Sequence, residues 1–457
     1  MAVEKLDHTQ ERLLGAGRPV QTRDSGYAWY VAAVMCLGFC ISYMDRSVLP
    51  LLVAPLERSM KLNDTGVSLL QGAAFGIFYA LFGFPLARLA DRANRRNLIL
   101  IAVLVWSAAT VACGLARTVP QLFAARICVA IGEAVLAPAA VSIIADYFSP
   151  SLRNRALSIY SMGVFFGGGL SLGLGGTLLR SLGPHGVTAT PIGPLDSWRI
   201  VFIALGLGGL VLVPLLLAVR EPARLAEHGG ADDGPASLQE VARVFSRKRA
   251  ALLAVIVGFA GLALGAQTLQ AWAPTMFVRL HHWNVGSAGQ RFGVFTFVLG
   301  PLGALTGAFL ADALERAGRA DGKLLVGLLS SVFCVGVSIL ATLPLEPVAF
   351  FGVVSLQFFV AFNFGLVQAA LAELLPNRMR ALGSACYVAT TNLVTATLGP
   401  LIVGLLNDRV FHDPNMVAVS IRWVSPAAFV LAGLVLAFGL RSYRSSVTEG
   451  ASWVQAS

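Results

Sequence analysis

Long apolar runs alternate with short polar breaks along the whole chain. Apolar runs cover 28–56, 66–89, 97–117, 121–146, 156–180 and 198–219. After a polar gap they resume at 250–279, 288–314, 323–343, 347–373, 382–407 and 423–441. A helix of about 20 apolar residues crosses the hydrocarbon core of a bilayer, and a helix satisfies its own backbone there without water. The pattern therefore predicts an all-α integral membrane protein with twelve transmembrane helices in two sets of six. The expected organisation is a tail over 1–27, a six-helix bundle over 28–219, a linker over 220–249, a second bundle over 250–442 and a tail over 443–457. The linker has a Gly/Asp/Pro centre, and its residues 237–245 are spaced as a short amphipathic helix on the membrane surface.

Composition agrees and removes alternatives. Hydrophobic residues make up 56% of the 457 and charged residues 13%, against about 25% charged in a soluble domain. Mean hydropathy is +0.73. The net charge of +10 concerns topology first, because Lys and Arg gather in cytoplasmic loops; nucleic acid is not an expected partner. With the N-terminus inside, inner loops and tails hold 23 of the 34 Lys and Arg and outer loops hold 8. Both termini are thus expected in the cytoplasm, with the chain in a bacterial inner membrane. The first two dozen residues are polar and lead directly into a full-length span, so no cleaved signal is expected. All six cysteines fall in apolar runs and read as small core residues, neither a disulfide frame nor a metal site. No cofactor, no metal and no enzymatic centre is expected, and without a Gly-x-x-x-x-Gly-Lys loop the chain itself does not use ATP. A monomer is expected.

An internal repeat links the two sets. Leu89-Ala90-Asp91 recurs as Leu310-Ala311-Asp312, and the stretch from Pro150 to Arg155-Ala156-Leu157 recurs from Pro376 to Arg380-Ala381-Leu382. Two parallel halves with a site between them near the bilayer midplane are the plan of a secondary transporter.

Charges inside the runs mark the candidate site. Asp45 and Arg46 lie within the first run beside Ser42 and Tyr43. A charge at that depth costs about 2.5–3.5 kcal/mol on insertion scales and faces protein or water. Arg126 and Glu133, seven apart, share one face of the fourth helix. At 1.5 Å per residue, Asp45 falls between them in height. The expectation is that Asp45 and Glu133 are proton-linked acids, with Arg126 as their partner or as the seat of an anionic headgroup. Arg46 either grips a substrate phosphate or neutralises Asp45. The alternative is a permanent structural ion network. The second half offers amides and hydroxyls instead: Gln267, Gln270, Asn363, Gln368, Thr390, Thr391 and Asn392, with Trp272, Phe358, Phe359 and Phe362. Charge in one half and amides with aromatics in the other suit a substrate with a head and a tail; helix-helix bonding is the alternative for each residue. Glycine clusters in the fifth, eighth and eleventh helices read as packing and hinge features, and Trp198-Arg199 as an interfacial anchor.

The stretch from Ala87 to Arg96 resembles the G-x-x-x-D-R-x-G-R-R signature between helices 2 and 3 of the major facilitator superfamily, with Ala87 and Asn94 in place of two glycines. The resemblance implies the major facilitator fold, two pseudo-symmetric six-helix bundles. It also implies a cytoplasmic gate of Asp91, Arg92, Arg95 and Arg96 with Asp146 and Arg155, matched in the second half by Asp312, Glu373 and Arg380. In that gate Asp91 would act as a latch, meeting a helix N-terminus or an arginine. Tyr43-Met44-Asp45-Arg46 with Arg126 to Gly132-Glu133-Ala134 resembles the spinster branch. That resemblance implies proton-coupled, alternating-access export of a lysophospholipid or similar amphipathic lipid. Symporters of small organic anions and sugar acids carry a similar Y-x-D-R, so an organic anion is the alternative substrate.

Overall fold

The computed structural model describes residues 23–183, 186–191, 193–224 and 238–456. Side chains at 238, 377, 378, 381 and beyond 448 lie outside that description, as do most of the expected N-terminal tail and the linker centre.

Among the described residues, twelve helices are long and apolar enough to cross a membrane. They are α1 Gly26–Met60, α2 Asp64–Arg92, α3 Arg95–Leu115, α4 Val119–Tyr147, α5 Pro150–Leu182 and α6 Ser197–Leu217, followed by α7 Arg249–Leu280, α8 Val285–Arg316, α9 Gly322–Leu340, α10 Glu346–Leu374, α11 Leu382–Phe411 and α12 Pro414–Thr448. With an even number of spans, α1 starts and α12 ends at the same end of the bundle. Between α6 and α7 lies an amphipathic helix, Leu238–Arg247, whose Val241, Val244 and Phe245 pack on the second half. A hairpin joins α5 to α6: β1 Val187–Thr190 pairs antiparallel with β2 Gly193–Asp196, Val187 opposite Asp196. The apolar-run pattern did not foresee it.

Each half has its own core. One cluster is built almost wholly from α1–α6, around Trp106, Trp198, Phe148 and Phe202. Another comes mainly from α7–α12, around Trp272, Phe259, Phe277 and Phe429. Trp198 is therefore not an interfacial anchor: it is 1% exposed, and Arg199 donates to the carbonyls of Gly114 and Ala116 at the end of α3. Those carbonyls lack helical donors, which is why a guanidinium suits the position.

The halves meet along α5–α8 and α2–α11, where small residues let backbones approach. A Cβ at Gly169 would lie 2.8 Å from the Gly293 oxygen, and one at Gly72 would run into the carbonyl of Ala396. These contacts lie toward the end opposite the termini. The cross-half hydrogen bonds Ser68 to Pro400 O, Thr275 to Pro50 O and Arg279 to Asp64 gather there too. Farther toward the terminal end, Leu81 and Phe84 of α2 and Val388 of α11 are exposed. There α8 turns to α10, with Gly303 against Phe358 and Gly307 against Phe362. The two bundles are joined at the far end and part toward the end carrying the termini.

Candidate functional site

The two acids sit just before breaks in their helices. Pro50 cannot donate to the carbonyl four residues back, and the first helical segment of α1 ends at Ser47, with a new one starting at Leu49. Pro138 does the same to α4, which runs to Glu133 and restarts at Leu136. Asp45 and Glu133 each lie five residues before their proline. Side chains serve the carbonyls near the α1 break: Ser171 Oγ donates to Met44 O at 2.6 Å, and Arg126 Nη1 to Asp45 O at 3.1 Å. Broken helices persist at membrane depth where neighbouring side chains satisfy the freed backbone in this way.

The arrangement differs from the expected one in its pairing. Arg46, not Arg126, holds Glu133, with Nε 2.6 Å from Oε2. Ser42 Oγ donates to the same oxygen at 2.8 Å. Asp45 is not neutralised by an arginine side chain; its Oδ2 accepts from Thr110 Oγ1 at 3.0 Å. The Arg126 guanidinium is spent on the main-chain oxygen of Asp45, and its Nε has no hydrogen-bond partner among the described residues. Asp45, Arg126 and Glu133 are each 1% exposed. Asp45 and Arg46 point about 100° apart on their helix, and it is Arg46 whose side chain is turned onto Glu133. Asp45 Oδ1 and Glu133 Oε1 also lack partners among the described residues.

Aromatic rings of α2 complete the cluster. The Arg46 guanidinium lies 4.3 Å from the Phe75 ring centre and 4.5 Å from that of Tyr79, and Arg126 lies 5.5 Å from Phe75. Tyr43 flanks Arg46 at 5.9 Å. The Arg46 side chain keeps 19% exposure while that of Glu133 has none. A cavity of about 310 Å³ between α1, α5 and α6, walled by Ile41, Met44, Leu174, Leu178 and Leu205, reaches Asp45. Ser42 apart, the supporting residues Thr110, Ser171, Phe75 and Tyr79 were not foreseen. The prolines five residues after each acid were the available signal.

The second half holds a counterpart. Gln270 Nε2 donates to Gln357 Oε1 at 3.0 Å. Gln270 follows Arg46, and Gln357 follows Glu133, by the same 224 residues (270 − 46 and 357 − 133). The amide pair is therefore the repeat of the ion pair, on α7 and α10 instead of α1 and α4. Asn363 sits in the α10 break and donates to Ser330 Oγ and Val360 O. Gln368 accepts from Ser384. Thr390 and Asn392 bond within α11 to Cys386 O and Val388 O. Gln267 is half-buried. Trp272 is fully buried, its Nε1 bonded to Pro400 O.

The expected gate residues divide. Arg95 is buried and donates to Asp146 at 2.5 Å, to Glu221 at 2.7 Å and to Ser142 at 2.7 Å. Arg96 binds the Leu216 and Leu217 carbonyls. In the second half Lys323 bridges Glu315 and Glu373, and Tyr443 donates to Glu373 at 2.5 Å. Arg380 donates to Leu375 O at 3.3 Å. Asp91, Arg92, Arg155 and Asp312 are exposed, and the expected Asp91 latch has no hydrogen-bond partner among the described residues. These networks staple helices within a half, because the halves are apart at that end. Outside the spans, Asp321 is held below its usual carboxylate range by Arg319, and Asp24 by Ser149.

Comparison with known proteins decides the family: the model of the Major Facilitator Superfamily matches residues 35–400. The chain belongs to the Major Facilitator Superfamily. Among the superfamily's members, an MFS-type efflux pump of Mycolicibacterium smegmatis is 27% identical over 391 residues, covering 84% of this chain and 86% of that protein. Protein spinster of Drosophila melanogaster is 24% identical over 395 residues, covering 84% of this chain and 62% of that one. A solved bacterial homolog of the human lysosomal transporter spinster, inward-facing and unoccupied, superposes with a TM-score of 0.75 at 25% identity, covering 94% of this chain and 98% of that one. The chain is thus a spinster-like transporter of the superfamily and not an enzyme.

Proposed function

We propose that the protein couples proton movement to the transport of an amphipathic lipid, a lysophospholipid or near relative, by alternating access. The observation that carries this reading is the buried Arg46–Glu133 pair beside Asp45. Protonating Glu133 removes the charge that holds Arg46. The released guanidinium, already partly exposed, then binds a phosphate headgroup bidentately. When the headgroup leaves, Arg46 returns to Glu133 and expels the proton. Asp45 is the second proton-linked acid, and Arg126 fixes the backbone on which it stands. The half-buried amides Gln267 and Gln270 and the α10–α11 residues Asn363, Gln368, Thr390 and Asn392 face the lipid from the second half.

The same reading places both termini in the cytoplasm of a bacterial cell and makes the parted end the inward opening. Arg95–Asp146–Glu221 and Lys323–Glu373 are then the inner staples of each half, and Asp91, Arg92, Arg155, Asp312 and Arg380 line the mouth. The protein acts as a monomer.

Purified protein in proteoliposomes with an imposed pH gradient tests the coupling. Glu133→Gln keeps the shape and the hydrogen-bonding capacity of the site, so the protein should fold while gradient-driven flux falls at least about tenfold, roughly 1.4 kcal/mol. Unchanged flux would remove Glu133 from the mechanism. A thermal-shift comparison of lysophospholipids with small carboxylates tests the substrate. Stabilisation by carboxylates alone would favour an organic-anion symporter.

A further inference from the structure

The last helix of each half carries an arginine near its start. Ser197 and Arg199 of α6 recur as Ser420 and Arg422 of α12 at one offset of 223 (420 − 197 and 422 − 199). Both guanidiniums serve main-chain oxygens at the end of the third helix of their half, where helical donors are missing. Arg199 donates to the carbonyls of Gly114 and Ala116 at the end of α3. Arg422 donates from Nη2 to the carbonyl of Thr342, just past α9, and from Nε to Thr342 Oγ1 at 2.9 Å.

The counter-charge is not repeated. Asp196 stands three residues before Arg199 and pairs with it at 3.3 Å. The same place in α12 is Val419. Arg422 is exposed and has no carboxylate partner among the described residues, and its Nη1 has no hydrogen-bond partner among them. Val419 and Arg422 instead line a cleft of about 330 Å³ at the end opposite the termini, between the end of α7, the α9–α10 connection and the start of α12. Met276, Leu280 and Leu343 make its walls apolar, and His281 and Asn415 add hydrogen-bond donors. No carboxylate lines it among the described residues. Trp423, next to Arg422, is 56% exposed and packs edge-on against Phe411. An exposed tryptophan of a spanning helix belongs at the headgroup level of a bilayer.

We propose that this cleft binds an anionic phospholipid of the surrounding membrane, its phosphate on Arg422 and an acyl chain along the apolar wall. Thr342 takes Nε and one Nη2 hydrogen, which leaves Nη1 and the other Nη2 hydrogen to hold two phosphate oxygens side by side. A zwitterionic headgroup would bring an ammonium for which the cleft supplies no acid. The first half has no such site, because Asp196 already neutralises its arginine. The cleft is separate from the Arg46–Glu133 cluster, and its lipid needs neither proton coupling nor transport.

The test titrates the full chain in neutral detergent micelles with phosphatidylglycerol or phosphatidylcholine and counts bound lipid by native mass spectrometry. One arginine near an anionic headgroup should give phosphatidylglycerol about a fivefold advantage. Val419→Asp gives α12 the acid that α6 has, keeps Arg422 on Thr342, and should erase that advantage; Arg422→Gln should do the same. Arg58→Gln removes another exposed arginine at the same end and should leave it intact. Equal affinity for the two lipids in the native sequence, an advantage that survives Val419→Asp, or one lost equally in Arg58→Gln would overturn the proposal. Displacement of phosphatidylglycerol by an equimolar amount of inorganic phosphate would overturn it too, since the acyl chain would then have no place in the cleft.

Discussion

At matching positions the two halves hold an ion pair and an amide pair. Arg46–Glu133 joins α1 to α4 at 2.6 Å, and Gln270–Gln357 joins α7 to α10 at 3.0 Å. The scaffold around them is also shared, since Pro50 and Pro274 stand at the same offset of 224. The difference lies in what each pair can exchange. A guanidinium and a carboxylate change their attraction when a proton arrives. Two amides hold the same bond at any pH. Of the two pairs, only the ionic one can respond to a proton. The same contrast recurs at the terminal end in milder form. Arg95 is 2% exposed and holds Asp146 and Glu221, whereas Lys323 is 10% exposed between acids that are about a third exposed.

The comparison breaks first, and most severely, at Arg46. Arg46→Ala strands Glu133 without its cation in a site with no exposure. Removing one partner of a buried pair costs about 3–5 kcal/mol, which thermal unfolding in detergent would register as a large drop in melting temperature. A variant as stable as the parent would mean that Glu133 is already neutral. Arg95→Ala comes next, at the lower end of that range, about 3 kcal/mol. Lys323→Ala, with more water around its acids, should cost clearly less; equal losses would void the contrast between the two staples. Thr110→Val removes the hydroxyl from Asp45 and is expected to cost about 1–3 kcal/mol, read by the same unfolding curves. The smallest effect belongs to the amides. A double-mutant cycle on Gln270 and Gln357 should give a coupling near 0.6 kcal/mol. A coupling as large as that of the ion pair would erase the distinction between the halves.

Much of the fold was legible because its cause is local. Apolar runs longer than about 18 residues become spans in any bilayer, and all twelve appear where the runs lie. The repeat was visible from Leu89-Ala90-Asp91 and its copy. The gathering of the buried charges was legible and their bonds were not. Asp45, Arg46, Arg126 and Glu133 do come together, because charge at depth must find a partner. The expected role of Arg126 as partner of both acids gave way to Arg46, since rotation about the helix axes decides which side chain meets which. Trp198 reads as an anchor from its place at a helix start, yet it is buried because α6 packs on α3.

The sequence by itself determined that this chain spans a membrane twelve times in two related halves, since hydropathy and repetition act along the chain. Only the tertiary structure decided that Arg46 holds Glu133, that Gln270 and Gln357 repeat that bond as amides, and that Arg279 closes on Glu57 and Asp64. Those pairings join residues 87 to 222 positions apart, and their choice depends on helix rotation and crossing, which no local pattern encodes.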